Sequence, residues 1–242
     1  MIVQRKTQIL KAFLLSVAVV TLSACSDDDS SSADRDDTAD ASYELTLTTT
    51  WTTANFPTNF PAGAHFTALI GSTHNNQVIF WMPGQNASAG IESMAETGSQ
   101  SALAAEVEAA KDDGKAEFTL ATSGNVSASG MAKLTFDINE TFPLVTLVSM
   151  IAPSPDWFIG VRDLSLFDNA TGEFKQTVVV QLKAYDAGTE DGEGFSLSNA
   201  DTQPKQPIAL LNRMDPADHD FVDGIGAANG EIIATMTFER IK

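Results

Sequence analysis

The chain has 242 residues, 43% of them hydrophobic, with 14 phenylalanines, three tryptophans and one cysteine. That content suits one sizeable globular domain and excludes an internal disulfide or a cysteine-based zinc cluster. A formal charge of −18 argues against nucleic acid and against direct docking on anionic lipid, and makes hard cations the natural partners of the surface.

Residues 1–24 read as an address. Arg5, Lys6 and Lys11 precede the apolar run Ala12–Leu22, which is too short to span a bilayer. The run ends in Leu22-Ser23-Ala24-Cys25, which resembles the lipobox of bacterial lipoproteins. The resemblance implies that Cys25 is diacylated and becomes the mature N-terminus, and Ser26 behind it implies the outer membrane. Residues 25–42 are expected to form the lipidated cysteine and a disordered tether. Within 26–40 there are seven Asp and four Ser and no apolar face, so the segment cannot offset its ordering entropy. Beyond it, 10 bases face 25 acids; the acidity belongs to the domain, assigned to residues 43–242.

From Ala41 onward the dominant period is two. Tyr43, Leu45, Leu47 and Trp51 alternate with polar residues, which predicts an amphipathic strand. Strands are also expected at 65–71 and 77–82. The Ala- and Glu-rich segment 97–114 predicts a helix with Leu103, Val107 and Ala110 on one face, closed by Gly114 and preceded by a short helix at 91–96. Further strands follow at 116–122 and 133–138. "PLVTLVSMIA" (143–152) is apolar on both faces, as a central strand would be. Strands at 158–167, 177–185 and 232–239 complete the pattern. The fold class is therefore all-β: an antiparallel β-sandwich of about eight strands with one or two short helices inserted.

Four signatures occur in order: "WTTANFPTNFPAGAHFTALIGSTHN", "FWMPGQNASAGIESMAETG", "APSPDWFIG" and "YDAGTEDG". Together they are similar to the spondin N-terminal domain, over about Tyr43 to Ile241. The resemblance implies a sandwich of the calcium/lipid-binding-domain type with a Ca²⁺ ion at one end. Its carboxylate ligands carry over to Asp156, Asp186 and Glu190. Animal members tend to have Asp at the last position, so Asp191 is an alternative to Glu190 there. The disulfide and the flanking extracellular modules of the animal members have no counterpart in this chain.

The residue types suit that ion. Ca²⁺ takes six to eight hard oxygens from carboxylates, carbonyls and water. Pro153 and Pro155 stiffen the loop holding Asp156, and Trp157 and Phe158 are expected to anchor it. Asp186 and Glu190 flank Ala187-Gly188-Thr189, a turn whose carbonyls are expected to be open to a ligand. Alternatively, Asp156 is a turn acid bonding its own backbone. His65 and His74 are expected in structural hydrogen bonds, and Asp215, Asp218, Asp220 and Asp223 in a surface loop.

No Gly-x-Ser-x-Gly elbow, phosphate loop or His-Glu-x-x-His is present, and the expected protein is not an enzyme. Asp156 with Asp186 could be read as a glycoside-hydrolase pair, but acids serving one cation are not free for acid–base work. Two readings stand ahead of catalysis: a binding or adhesion module with a glycan, matrix or protein ligand, and a passive envelope protein that calcium merely stabilises.

Overall fold

The computed structural model describes residues 40–56, 60–192, 194–197, 199–211 and 232–242. The signal segment, Cys25, the acidic tether up to residue 39 and the aspartates of 215–224 lie outside the described residues.

In chain order the elements are β1 (Ala41–Thr49), β2 (His65–Phe66), β3 (Ile70–His74), α1 (Ala89–Thr97), α2 (Ser101–Asp112), β4 (Ala116–Ala121), β5 (Val126–Ser127) and β6 (Met131–Ile138). They continue as β7 (Leu144–Ala152), β8 (Trp157–Ser165), β9 (Phe167–Asp168), β10 (Glu173–Phe174), β11 (Thr177–Leu182), β12 (Ala184–Asp186), β13 (Glu190–Asp191), β14 (Ala200–Asp201), β15 (Ala209–Leu210) and β16 (Ala234–Arg240). All pairings are antiparallel. Residues 40–42, expected at the end of the tether, are already held by the sheet: Asp40 N donates to Ile138 O at 3.0 Å, and Ala41 pairs with Ile138 and Ser42 with Asp137.

One sheet runs β11-β16-β1-β6. Its inner face carries Tyr43, Leu45, Leu47, Phe136, Met236 and Phe238, all buried, as strict alternation in β1 and β16 requires. The larger sheet runs β15-β12-β8-β7-β2-β5, with β3 between β7 and β4. Its inner face offers Val145, Leu147, Ile151, Trp157 and Ile159 to the same core. The two inner faces make a β-sandwich.

The outer face of the larger sheet is apolar as well. Val148, Met150 and Phe158 point away from the sandwich into a second core with Ile91 and Met94 of α1 and Leu103 and Val107 of α2. The helices thus cover the back of the sheet, which is why β7 is apolar on both faces. Ser88 caps α1 by accepting from Ile91 N, and Gly98 ends it in the left-handed conformation.

Three expected strands are corrected. Residues 77–82 are irregular, because Phe80 and Trp81, adjacent in sequence, are both buried in the second core, which a strand's alternation forbids. The 65–71 run divides at Thr67: its carbonyl accepts from Ser149 Oγ at 2.7 Å and its hydroxyl from Met150 N at 3.0 Å. The 177–185 run divides at Lys183, where the chain passes from the smaller sheet (β11) to the larger (β12).

Candidate functional site

The site is built on the turn between β7 and β8. Ser154, fully buried, donates from Oγ to Ile151 O at 2.5 Å and accepts from Trp157 N at 3.1 Å. This bracket closes the Pro153–Pro155 turn and delivers Asp156 to the first position before β8. Behind it the alternation of β8 sends Trp157 into the sandwich core, edge-on to Phe195, and Phe158 into the second core, edge-on to Trp81. Asp156 is therefore held from both sides of the sheet.

Its relative exposure is 0%. Oδ2 accepts from Thr189 N at 2.6 Å, Glu190 N at 3.1 Å and Thr189 Oγ at 3.1 Å. Oδ1 is buried with no donor in hydrogen-bonding geometry; the Gly188 amide lowers the carboxyl but spends its hydrogen bond on Asp186 Oδ1. Burial pushes the Asp156 carboxyl up from the ordinary aspartate value, against the lowering effect of the Thr189, Glu190 and Gly188 amides and the Thr189 hydroxyl. A buried acceptor with no donor is costly.

The second loop wraps around this group. Asp186 ends β12 opposite Trp157 in the register, and its Oδ1 accepts from Gly188 N at 2.6 Å, tightening the turn. Gly188 has φ +73°, and a Cβ there would stand 2.2 Å from Gln206 O, so only glycine fits. Two of the three turn carbonyls expected to be open are engaged: Gly188 O accepts from Gln206 N at 2.8 Å and Thr189 O from Thr202 N at 2.9 Å. Pinning 188 and 189 in this way is what aims the two amides at Asp156.

Glu190 and Asp191 leave the turn in opposite directions. Burial raises the Glu190 carboxyl, its bond from Asn199 lowers it, and the nearby charges of Asp156 and Asp201 raise it again. Asp191 is exposed and accepts from Thr202 Oγ at 2.5 Å. Glu190 is thus within electrostatic reach of Asp156.

A further acid joins them that sequence reasoning did not single out. Glu96, in the last turn of α1, stands near the Thr189 side chain. Burial raises its carboxyl, Thr189 lowers it, and Glu190, Glu92 and Asp156 raise it. One turn earlier Glu92 pairs with Lys205. The acidic face of α1 thus meets the 186–206 loop. One signal was available: a carboxylate in the last turn of a helix opposes the macrodipole, and Glu96 stands there with no basic residue in that turn.

Among the described residues no three His, Cys, Asp or Glu side chains gather closely enough to hold a metal ion. The structure brings Asp156 and Glu190 within electrostatic reach, with Glu96 beside them, and engages Asp186 with its own turn. The donor set is all oxygen, which suits a hard cation and not zinc. The orphaned Oδ1 of Asp156 fits the same conclusion: it is an acceptor that a cation would satisfy.

The two histidines among the described residues make structural hydrogen bonds. Buried His74 bonds Asn75 O through Nδ1 and Thr146 Oγ through Nε2, each at 2.8 Å, and burial lowers its pKa. His65 Nδ1 meets Gly63 O at 2.7 Å.

A two-sheet β-sandwich backed by two helices, with a buried aspartate and an acidic loop at one end, defines the class of protein. The family described as Spondin_N matches residues 41–222, and the chain belongs to it: it carries a spondin N-terminal domain. It is 31% identical to Spondin-2 of Rattus norvegicus over 181 residues, covering 73% of this chain and 54% of that protein. Against Spondin-1 of Gallus gallus it is 31% identical over 208 residues, 83% of this chain and 25% of that protein. Spondin-2 of Homo sapiens matches at 31% over 181 residues, 73% of this chain and 54% of that protein. The chain thus spans about half the length of Spondin-2 and a quarter of Spondin-1. No helix among the described residues is long and apolar enough to cross a membrane.

Proposed function

We propose that this protein is a lipid-anchored envelope protein whose spondin-type sandwich binds Ca²⁺ and serves as a binding or adhesion module. The observation that carries the calcium reading is the unpartnered Oδ1 of the fully buried Asp156, beside Glu190 and Glu96, whose carboxyls burial raises most and the Asp156 charge raises further. Ca²⁺ would supply positive charge to that cluster. The residues' own work is to hold Asp156 rigid through the Ser154 bracket and to fix the turn through Gly188.

The module reading is supported by the match itself, which takes in most of this chain but only part of each longer relative. A glycan, matrix or protein ligand is the partner class, with neither nucleic acid nor a reaction. Cys25 in the lipobox-like segment, ahead of the acidic stretch, supports attachment to the outer membrane through lipid on a tether. The passive reading, in which the ion only stabilises, is favoured by one observation: the site stands between the two cores, joined to them by Trp157 and Phe158.

Calorimetric titration of the lipid-free domain tests the cation. One Ca²⁺ per chain is expected, with a Kd of ~10⁻⁴ to 10⁻³ M, the range of extracellular calcium modules. Absence of a calcium heat in that range refutes the reading. Recovery of an envelope ligand by the calcium-loaded domain then separates a module from a passive protein.

A further inference from the structure

β6 is an open edge of the smaller sheet: among the described residues it pairs with β1 alone. Thr49 N donates to Gly130 O at 3.0 Å, and the register then turns the backbone groups of the even-numbered β6 residues toward β1. The N–H and C=O groups of Met131, Lys133, Thr135 and Asp137 therefore point away from the sheet, toward whatever lies beside it. The side chains of these four stand on the outer face. Leu134, Phe136 and Ile138 face the core, with Leu134 only partly buried.

Proteins commonly blunt such an edge with a bulge, a proline or a very short strand. β6 has none of these: its eight residues run in unbroken register with β1. Alongside Met131–Leu134 a slot of about 400 Å³ lies between the edge and the 121–126 turn. An open edge recruits an extended strand, which joins it through main-chain hydrogen bonds.

The residues of β6 are complementary to β6 itself. In an antiparallel pair centred on Thr135, Lys133 lies opposite Asp137 of the second copy, and two-fold symmetry makes that pair twice. Thr135 meets Thr135, a favourable cross-strand pair. On the core face the same register sets Leu134 against Phe136 and Ala132 against Ile138, so both faces match. Sliding by two residues in either direction loses both charge pairs, and sliding by four toward the start of the strand opposes Lys133 to Lys133. A one-residue slip turns core side chains to the solvent face. Within one chain Lys133 Nζ meets Glu44 Oε1 at 2.6 Å, with 56% of the lysine side chain exposed, and Asp137 accepts from Ser42 Oγ. An ammonium and a carboxylate each keep further bonds to offer.

We propose that the protein associates with a second copy of itself through β6, joining the two smaller sheets into one across a two-fold axis at Thr135. The end of the second copy's strand occupies the slot beside Met131–Leu134. The contact is isologous and closed, so it gives dimers and not fibres. It does not depend on the calcium reading.

The test is sedimentation equilibrium of the lipid-free chain from Ser26 onward, which is expected to dimerise with a Kd below about 1 mM. Thr135→Pro removes an outward N–H, leaves the ladder to β1 whole and abolishes the dimer. Lys133→Glu weakens it at least about tenfold, because both charge pairs become repulsive, and combining it with Asp137→Lys restores it. Cys25 is the only cysteine and is left out of this chain, so Thr135→Cys reports the axis. There the paired Cα atoms lie ~5.5 Å apart, within disulfide reach, and oxidation cross-links the dimer, whereas Met131→Cys gives no cross-link. The proposal is overturned by a chain that stays monomeric at about 1 mM or by a dimer that survives Thr135→Pro. It is equally overturned by a folded charge-exchanged double variant that remains monomeric, or by cross-linking through Met131→Cys in place of Thr135→Cys.

Discussion

Asp156→Asn is nearly isosteric and separates a cation-facing carboxylate from a turn acid. The Asn carbonyl can take the place of Oδ2 and keep the donors from Thr189 N, Thr189 Oγ and Glu190 N. Each charge-assisted bond of roughly 1.5–3 kcal/mol becomes a neutral one of roughly 0.5–1.5 kcal/mol, a total loss of about 3–4 kcal/mol. Against this, the desolvation penalty of a buried carboxylate, several kcal/mol, disappears. So does the repulsion that Asp156 exerts on Glu190 and Glu96. The terms are of similar size, so the metal-free variant melts at or above wild type.

Calcium distinguishes the two proteins. At a hundredfold excess over Kd, wild type gains about 2.7 kcal/mol, a rise of roughly 5–11 °C for a domain of this size. The variant loses most of that rise. The assay is thermal melting of both proteins in chelator, calcium and magnesium. A calcium shift that survives in Asp156→Asn refutes the reasoning and leaves Asp156 as a turn acid, since Asn caps turns about as well.

Metal-free stability should fall as pH rises above the ordinary carboxylate range. Asp156, Glu96 and Glu190 are all raised in the folded state, so the native form holds more protons in that window and their stabilisation is lost as pH passes through the raised values. With saturating calcium the slope flattens, because the ion selects the ionised forms; melting curves between pH 4 and pH 8, with and without chelator, check both signs. Gly188→Ala forces a left-handed residue and a collision with Gln206 O, costing roughly 1–3 kcal/mol or more by denaturant titration. Calcium affinity should fall with it. Cys25→Ser should abolish lipid labelling and release the protein from membrane fractions, because a diacylated cysteine supplies the two chains that stable anchoring needs.

The sandwich was legible because alternation survives wherever one face of a strand is buried, as in β1 and β16. The two-faced apolar run of β7 announced a covered sheet, and the helices that cover it were readable from Leu103 and Val107. What escaped was tertiary in origin. Phe80 and Trp81 look like strand residues, yet the second core takes both. Thr67 and Lys183 interrupt apparently continuous strands because other strands and sheets compete for the chain. At the site, Asp156 stood out as an acid amid apolar sequence, and the need for Gly188 follows from the turn. Glu96 did not, because it lies 60 residues away in sequence on a helix and meets the site only through the fold. The spent carbonyls of Gly188 and Thr189 were equally hidden, since their partners, Gln206 and Thr202, come from the far side of the loop.

The most direct measurement is a crystal structure of the lipid-free domain grown with Ca²⁺, with anomalous scattering used to locate the ion. The account predicts one ion with Asp156 Oδ1 at about 2.3–2.6 Å, among six to eight oxygens, and Glu190 drawn toward it. An Asp156 Oδ1 still without a cation at saturating calcium, or satisfied by a protein donor, would contradict it.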